Sequence, residues 1–323
     1  MTYNTALLGL GNIAWKLDED PLRNNIWTHA KAYYLNNNTN LIAACDNNII
    51  SDNAIGFHKK YPEVKLYNNL EQMFSNNNID IVSICVPTSQ HQDILYEIAK
   101  YPIKAVFCEK PCGYDMQIEE LYKRENIVIA VNYMRRWDSL YLNIKKIIDS
   151  KELGELKSIV SFTSTALYMN ASHMIDLINW FGGGNFRIQG RVKKDYIREV
   201  DGNKDYGGVF YFYNKNIDGF LYAHCDNKEK FQFEITLYFT NGKIMVLSDG
   251  LNCAVNKYEY SNYISNYKTL NYDRSLYSSN ERMLDAIKDI INVIENKKEK
   301  INCGIKEAKE VQQFINKCYY AAG

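Results

Sequence analysis

Short apolar runs closed by turn residues recur through the first 135 positions: Ala6–Leu8, Asn40–Cys45, Ile79–Val86, Lys104–Cys108 and Ile127–Val131, with a briefer one at Val64–Tyr67. Near-continuous apolar runs of this length read as strands buried on both faces of a parallel sheet. Between them lie helical stretches: Thr28–Tyr33, a segment ended by Tyr61-Pro62, Leu70–Phe74 and Gln92–Lys100. Strand and helix alternating in this way predict an α/β domain over residues 1–135. Past residue 136 the period changes to two. Leu156–Phe162, Gly208–Tyr213, Gly219–His224 and Phe231–Phe239 read as half-buried strands, and Asn241-Gly242 turns the chain into Ile244–Leu247. Helices are expected at Asp138–Ile148, whose Leu140, Ile144, Ile147 and Ile148 share one face, and at Ala171–Phe181, stopped by Gly182-Gly183-Gly184. Two more follow, Met283–Ile294 behind a capping box Ser278-Ser279-Asn280-Glu281, and Lys306–Tyr319. Residues 136–323 are therefore expected to form an α+β domain with a mainly antiparallel open sheet.

The first strand runs into Gly9-Leu10-Gly11-Asn12-Ile13-Ala14, a G-x-G-x-x-A turn. In a dinucleotide-binding (Rossmann) domain the first glycine permits the turn and the second lets the backbone approach a pyrophosphate. The third, small position lets a helix pack on the strand. Gly9, Gly11, Asn12 and Ile13 are accordingly candidate cofactor contacts. A charged insertion ending at Trp27 precedes the first helix. The second strand ends in Asp46, which is placed either to bond an adenosine ribose, favouring NAD over NADP, or to form a turn before Asn47-Asn48. The later strands deliver three further loops to the same edge: Pro87-Thr88-Ser89-Gln90-His91, Glu109-Lys110-Pro111, and Asn132 to Trp137. Pro87, Thr88 and His91 are placed near a cofactor, His91 also as a helix-entry residue.

Composition narrows the partners. A chain of 323 residues with 46% apolar content can fill two cores, and a formal net charge of zero supplies no electrostatic reason to bind nucleic acid or an anionic membrane. The apolar run Ala6–Leu10 lacks a basic leader and is not read as a signal peptide, and no stretch is long and apolar enough to span a bilayer. Eight scattered cysteines, several inside apolar runs, suggest a reducing cytoplasm, and no His/Cys cluster completes a metal set.

Taken in order, the glycine turn, Thr28-His29-Ala30, Val86-Pro87-Thr88 with His91, Cys108-Glu109-Lys110-Pro111, Asn132 to Trp137 and Ser172-His173-Met174-Ile175-Asp176-Leu177 resemble the glucose-fructose oxidoreductase and inositol dehydrogenase (Gfo/Idh/MocA) family. The resemblance implies hydride transfer between NAD(P) and a sugar or cyclitol carbon. It also implies a second-domain sheet that mediates assembly into a homodimer or homotetramer, and it raises the expectation of a cis bond at Lys110-Pro111. It maps the family's catalytic lysine onto Lys110 and its histidine onto His173. Many members carry a carboxylate four residues before that histidine; here the position is Met169, with Asn170 one turn before His173.

A hydride leaving an alcohol carbon requires the hydroxyl proton to leave as well. His173, a side chain whose unperturbed pKa lies near neutrality, is the expected proton carrier, with a core hydrogen bond as its alternative role. Lys110 would polarise the substrate oxygen and share the proton transfer. Glu109 is expected to orient the loop and cofactor. Tyr133, Arg136, Tyr168 and Asn170 are candidate substrate contacts, with Arg136 either gripping a phosphate or carboxylate or forming a surface salt bridge. The expected activity is an NAD-dependent sugar oxidoreductase, acting on a nucleotide-linked or otherwise modified hexose in surface-polysaccharide synthesis. A free polyol or inositol dehydrogenase and a non-catalytic NAD-binding regulator are the alternatives.

Overall fold

A computed structural model describes residues 1–23, 25–112, 116–200, 203–224, 231–247, 249–279 and 281–321. The chain divides into two compact units, each built from two segments: Met1–Trp137 with Asn280–Ala308, and Asp138–Ser279 with Lys309–Gly323. The segment 280–308 thus belongs with the first unit, whereas an uninterrupted boundary after residue 135 would place it with the second half.

The first unit carries β1 (Tyr3–Leu8), α1 (His29–Leu35), β2 (Thr39–Cys45), α2 (Asp52–Lys60), β3 (Lys65–Tyr67), α3 (Leu70–Asn76), β4 (Ile81–Ile84), α4 (His91–Ile98), β5 (Ala105–Cys108), α5 (Met116–Arg124) and β6 (Val128–Val131). Its strands form one parallel sheet in the order β3-β2-β1-β4-β5-β6, the order of a Rossmann domain. Ile81, Val82, Ile84, Ala105, Val106, Phe107 and Cys108 are wholly buried, as sheets covered on both faces require. The fourth strand is shorter than Ile79–Val86. Register places Leu8, Cys45, Ile84, Cys108 and Val131 in one row across the sheet. Gly9, Asp46, Cys85, Glu109 and Asn132 therefore leave the sheet at one level, on its carboxyl edge.

The charged insertion does not break the helix that follows the glycine turn. The His29 N–H donates to the Ile13 carbonyl at 3.3 Å and the Ala30 N–H to Ala14 at 2.9 Å, so α1 resumes the turn begun at Ile13-Ala14 with residues 15–28 looped out between. Asp18, whose side chain is 1% exposed, closes the loop. It accepts the N–H groups of Trp27 and Thr28 and the Thr28 hydroxyl, the last at 2.6 Å. Thr28 Oγ1 in turn caps α1 by accepting from the Lys31 N–H.

The second unit carries α6 (Ser139–Asp149), β7 (Leu156–Ser164), α7 (Asn170–Gly182), β8 (Arg187–Val200), β9 (Asn203–Tyr213), β10 (Asp218–His224), β11 (Phe233–Phe239), β12 (Gly242–Val246), β13 (Asn252–Tyr260) and β14 (Lys268–Tyr277). These strands form one sheet in the order β14-β13-β12-β11-β7-β10-β9-β8, antiparallel except for the central pair β7 and β10. On β7, Ile159, Ser161 and Thr163 are buried, while Val160 and Phe162 point the other way and stay partly exposed. Gly183 takes φ 80° at the end of α7, the left-handed stop for which the glycine triplet is suited.

The chain closes with α8 (Arg282–Ile294), in the first unit, and α9 (Ile305–Tyr320). The expected capping box before α8 does not form. The helix opens only at Arg282, with no side-chain cap, and Ser278 Oγ bonds the Asp138 carboxylate instead; Asn280 lies outside the described residues. In the first unit α8 presents Asp289, 7% exposed, to the loop after β6. It accepts the Trp137 indole N–H at 2.9 Å, the Asn302 N–H at 2.9 Å and the Lys298 ammonium. Asp289→Ala leaves buried donors without acceptors and is expected to lower the unfolding free energy by about 2–3 kcal/mol in urea denaturation. An unchanged midpoint would show that these bonds do not hold the loop.

Candidate active site

The carboxyl edge of the first sheet gathers the residues that chemistry requires. Gly9 has φ +85°, and a Cβ there would lie 2.9 Å from backbone atoms of Cys85 and Val86, so the turn is pressed against the exit of β4. At Gly11 a Cβ would meet nothing within 4 Å, leaving open space above the turn where a pyrophosphate fits. Asn12 is exposed and Ile13 half-buried beside it. Asp46 forms the expected turn, Oδ1 accepting the Asn48 N–H at 2.9 Å, and its Oδ2 accepts the Leu10 N–H of the glycine turn at 2.8 Å. The carboxylate therefore stands against the turn, where a ribose hydroxyl would compete for it.

Glu109 is the centre of the edge. Its Oε1 accepts from His29 Nε2 at 2.9 Å and from Asn132 Nδ2 at 2.6 Å, which adjacent exits from β5 and β6 make possible. Burial by itself would raise the Glu109 pKa. The hydrogen bond and charge of His29, then Asn132, then the charge of Lys110, outweigh it and hold the carboxyl below its usual range. Lys110 follows directly, half-buried, and the Lys110-Pro111 peptide bond is cis.

Pro87 is exposed and Thr88 half-buried, opening the turn that precedes α4. His91 is the first residue of α4, the expected helix entry. Its ring is 1% exposed, with Nδ1 2.7 Å from the Pro111 carbonyl and Nε2 3.0 Å from the Val86 carbonyl. A neutral ring carries one N–H and donates to one of these two carbonyls, which ties His91 to the backbone of the loops around it. Burial pushes the Cys85 and Cys108 thiols well up, which leaves them protonated and unreactive. Among the described residues no three His, Cys, Asp or Glu side chains are grouped to hold a metal ion. A groove of about 980 Å³ opens at the opposite edge of the sheet, lined by Tyr3, Lys104, Val128 and Glu295 among others, away from these loops.

Tyr133 and Arg136 are 1% and 5% exposed. Burial rules out the surface salt bridge for Arg136, whose carbonyl accepts from Asn302 Nδ2 at 3.2 Å. In the second unit, Tyr168 Oη accepts from Gln312 Nε2 at 2.8 Å and its ring stacks on Tyr319, so this tyrosine is built into its own unit's framework. Asn170 begins α7, its N–H bound to Thr165 Oγ1 at 2.9 Å, and His173 lies one turn on, 7% exposed. Thr165 has φ 83°, a left-handed conformation that a β-branched residue adopts at a cost of about 1–3 kcal/mol. Met169 precedes the helix without a side-chain cap.

His29 and Ser83 escaped the site reading of the sequence. His29 stood out only as part of Thr28-His29-Ala30, and Ser83 as one polar residue inside an apolar strand.

The strand order, the glycine turn and the convergence of loops on one sheet edge define a Rossmann dinucleotide-binding unit. Residues 4–131 match the oxidoreductase family described by its NAD-binding Rossmann fold. Over these residues the chain is similar to the Gfo/Idh/MocA oxidoreductases. Inositol 2-dehydrogenase of Salmonella typhimurium is 28% identical over 197 residues, covering 56% of this chain and 54% of that protein. The chain thus spans about half the length of the curated relatives it matches. Among solved structures, an oxidoreductase from Agrobacterium radiobacter in complex with NAD+, L-tartaric acid and magnesium has a TM-score of 0.78 at 13% identity, covering 100% of this chain and 96% of that one. A dehydrogenase from Chromobacterium violaceum has a TM-score of 0.77 at 16% identity, covering 99% and 95%. These likenesses show a shared fold over the whole chain.

The lowered Glu109 pKa fixes a pH dependence. Its stabilising contribution is fully present above the ordinary glutamate value of about 4.3 and is lost as pH falls through the lower folded value. The difference in unfolding free energy between wild type and Glu109→Gln should be constant above about pH 5 and shrink on acidification below about pH 4. A difference that does not vary between pH 6 and pH 3 would show that the carboxylate is not stabilised in the fold.

Proposed function

We propose that the protein is an NAD-dependent oxidoreductase that moves a hydride between nicotinamide and a carbon of a sugar. The observation that carries this reading is Glu109-Lys110-Pro111, leaving the sheet level with the glycine turn and held there by His29 and Asn132. Bound at the open space over Gly11, NAD supplies the hydride acceptor or donor. Gly9, Gly11, Asn12, Ile13, Pro87 and Thr88 are its proposed contacts, and Asp46 favours NAD over NADP, since a carboxylate repels a 2′-phosphate.

Lys110 holds the reacting oxygen through its ammonium, stabilising the charge that builds there as the carbon–hydrogen bond breaks. His173 receives the hydroxyl proton in oxidation and returns it in reduction. No carboxylate stands at Met169 to assist, so the proton transfer rests on these two groups. Asn170, one turn from His173, is the proposed polar contact to substrate; the burial of Tyr133 and Arg136 suits them to shaping a site rather than capturing ligand from solvent.

The substrate we favour is a nucleotide-linked or modified hexose of surface-polysaccharide synthesis, because Met169 departs from the carboxylate common in relatives acting on free polyols. A free cyclitol is the second reading, supported by the inositol 2-dehydrogenase relative. We place the chain in a reducing cytoplasm, where the buried thiols of Cys45, Cys85, Cys108, Cys112, Cys253 and Cys318 pack as small apolar groups. Assembly with a second copy is proposed through the outer face of the second unit's sheet. There Phe162, Phe220 and Tyr222 cluster with ring centroids 5.9–6.0 Å apart and remain partly exposed.

Lys110→Ala and His173→Ala are each expected to lower turnover roughly 10²–10⁴-fold with NAD binding nearly intact. NADH absorbance would be followed against a panel holding myo-inositol and UDP-hexoses. Turnover of myo-inositol alone selects the second reading, and NAD binding without turnover of any sugar would favour a regulator. Phe162→Glu should convert an oligomer to monomer in light scattering after size exclusion; a wild-type monomer at micromolar concentration would dismiss this interface.

A further inference from the structure

Behind Lys110 runs a line of side-chain hydrogen bonds to which the proposed chemistry gives no part. Tyr33 Oη lies 2.7 Å from Ser83 Oγ, which lies 2.8 Å from His29 Nδ1. His29 Nε2 lies 2.9 Å from Glu109 Oε1. Tyr33, Ser83 and His29 are each 0% exposed. A carboxylate only accepts, so His29 Nε2 carries the hydrogen it donates to Glu109. At Nδ1 a neutral ring accepts from the Ser83 hydroxyl and a charged ring donates to Ser83 Oγ, and in either state Tyr33, Ser83 and His29 form one connected line ending on Glu109.

We infer that His29, backed by Ser83 and Tyr33, is a positioning residue for Lys110: it fixes the Glu109 carboxylate and, with it, the backbone that presents the lysine. This inference rests on the role given to Lys110 above. Two features separate it from core packing. His29 opens the resumed part of α1: its N–H is tied to Ile13 of the glycine turn, and the preceding Thr28 is gripped by buried Asp18. The ring is thus anchored from both the cofactor turn and the insertion. Glu109 also adjoins Lys110 in the chain, so a displaced carboxylate moves the lysine and removes the charge that favours its ammonium form.

His29→Gln keeps an amide donor at about the reach of Nε2. His29→Leu keeps bulk against Phe107, whose ring centroid is 4.5 Å away, but offers no donor. Ser83→Ala leaves the ring in place and removes its support. Two readouts apply: kcat and KM on the panel above, and the NMR shift of Lys110 in reductively carbon-13-methylated protein, assigned by its loss in Lys110→Arg. His29→Leu should lower kcat roughly 10–100-fold, the scale of losing an outer-shell partner, with KM for NAD+ unchanged and the Lys110 signal displaced. His29→Gln should restore both towards wild type, and Ser83→Ala should cost roughly two- to tenfold in kcat. Equal kcat in the Leu and Gln variants, or an unmoved Lys110 signal in the Leu variant, overturns the inference. If the Leu variant does not fold, an unmoved signal and unchanged kcat in Ser83→Ala do the same. A wild-type protein that turns over no panel sugar defeats the functional reading, while the Lys110 signal still decides the positioning role.

Discussion

An ionised carboxylate with little access to water is the constraint around which the first unit's site is built. Glu109, its side chain 13% exposed, would lose several kcal/mol to desolvation if it stood alone. Its partners come from elements far apart in the chain, His29 from the start of α1 and Asn132 from the end of β6. Satisfying one acid therefore locks three segments in place, and Lys110, the next residue, inherits that order. The arrangement depends on register: only because Cys108 pairs with Val131 and with Ile84 do the exits of β4, β5 and β6 stand level.

The looped-out residues 15–28 show how such a site survives an insertion. Closing a loop of this size costs entropy that grows only with the logarithm of its length. Three hydrogen bonds to the buried Asp18 carboxylate, and two backbone bonds that resume the helix, offset that cost. His29 consequently occupies the position it would hold in an unbroken helix. In the second unit the strained residue Thr165 has a comparable local task, since its hydroxyl caps the first N–H of α7, the helix bearing His173.

Much of this was legible in the residue pattern. Apolar runs of three to eight residues marked the parallel strands, because a strand covered on both faces admits few polar side chains. The glycine turn, the Gly183 helix stop, the second unit's mainly antiparallel sheet and the lysine-bearing loop were likewise readable, each following from a backbone or burial requirement local in sequence. The long strands β8, β13 and β14 were not, being rich in charged and tyrosine residues with little alternation, and the cap of α8 was misread because a Ser-x-x-Glu pattern reports capping potential and not whether a nearby acid claims the serine.

Periodicity states which face of an element is buried and nothing about what it meets there. The sequence by itself thus determined that the chain opens with a dinucleotide-binding fold and that Lys110 leaves its sheet at the ligand edge. Only the tertiary structure decided that the His91 ring lies between the Pro111 and Val86 carbonyls, that Tyr168 is held by Gln312 and Tyr319, and that His29 reaches Glu109. Those pairings join residues from 5 to 151 positions apart. Most of them follow from which strands adjoin and in what register, information that no local stretch of sequence carries.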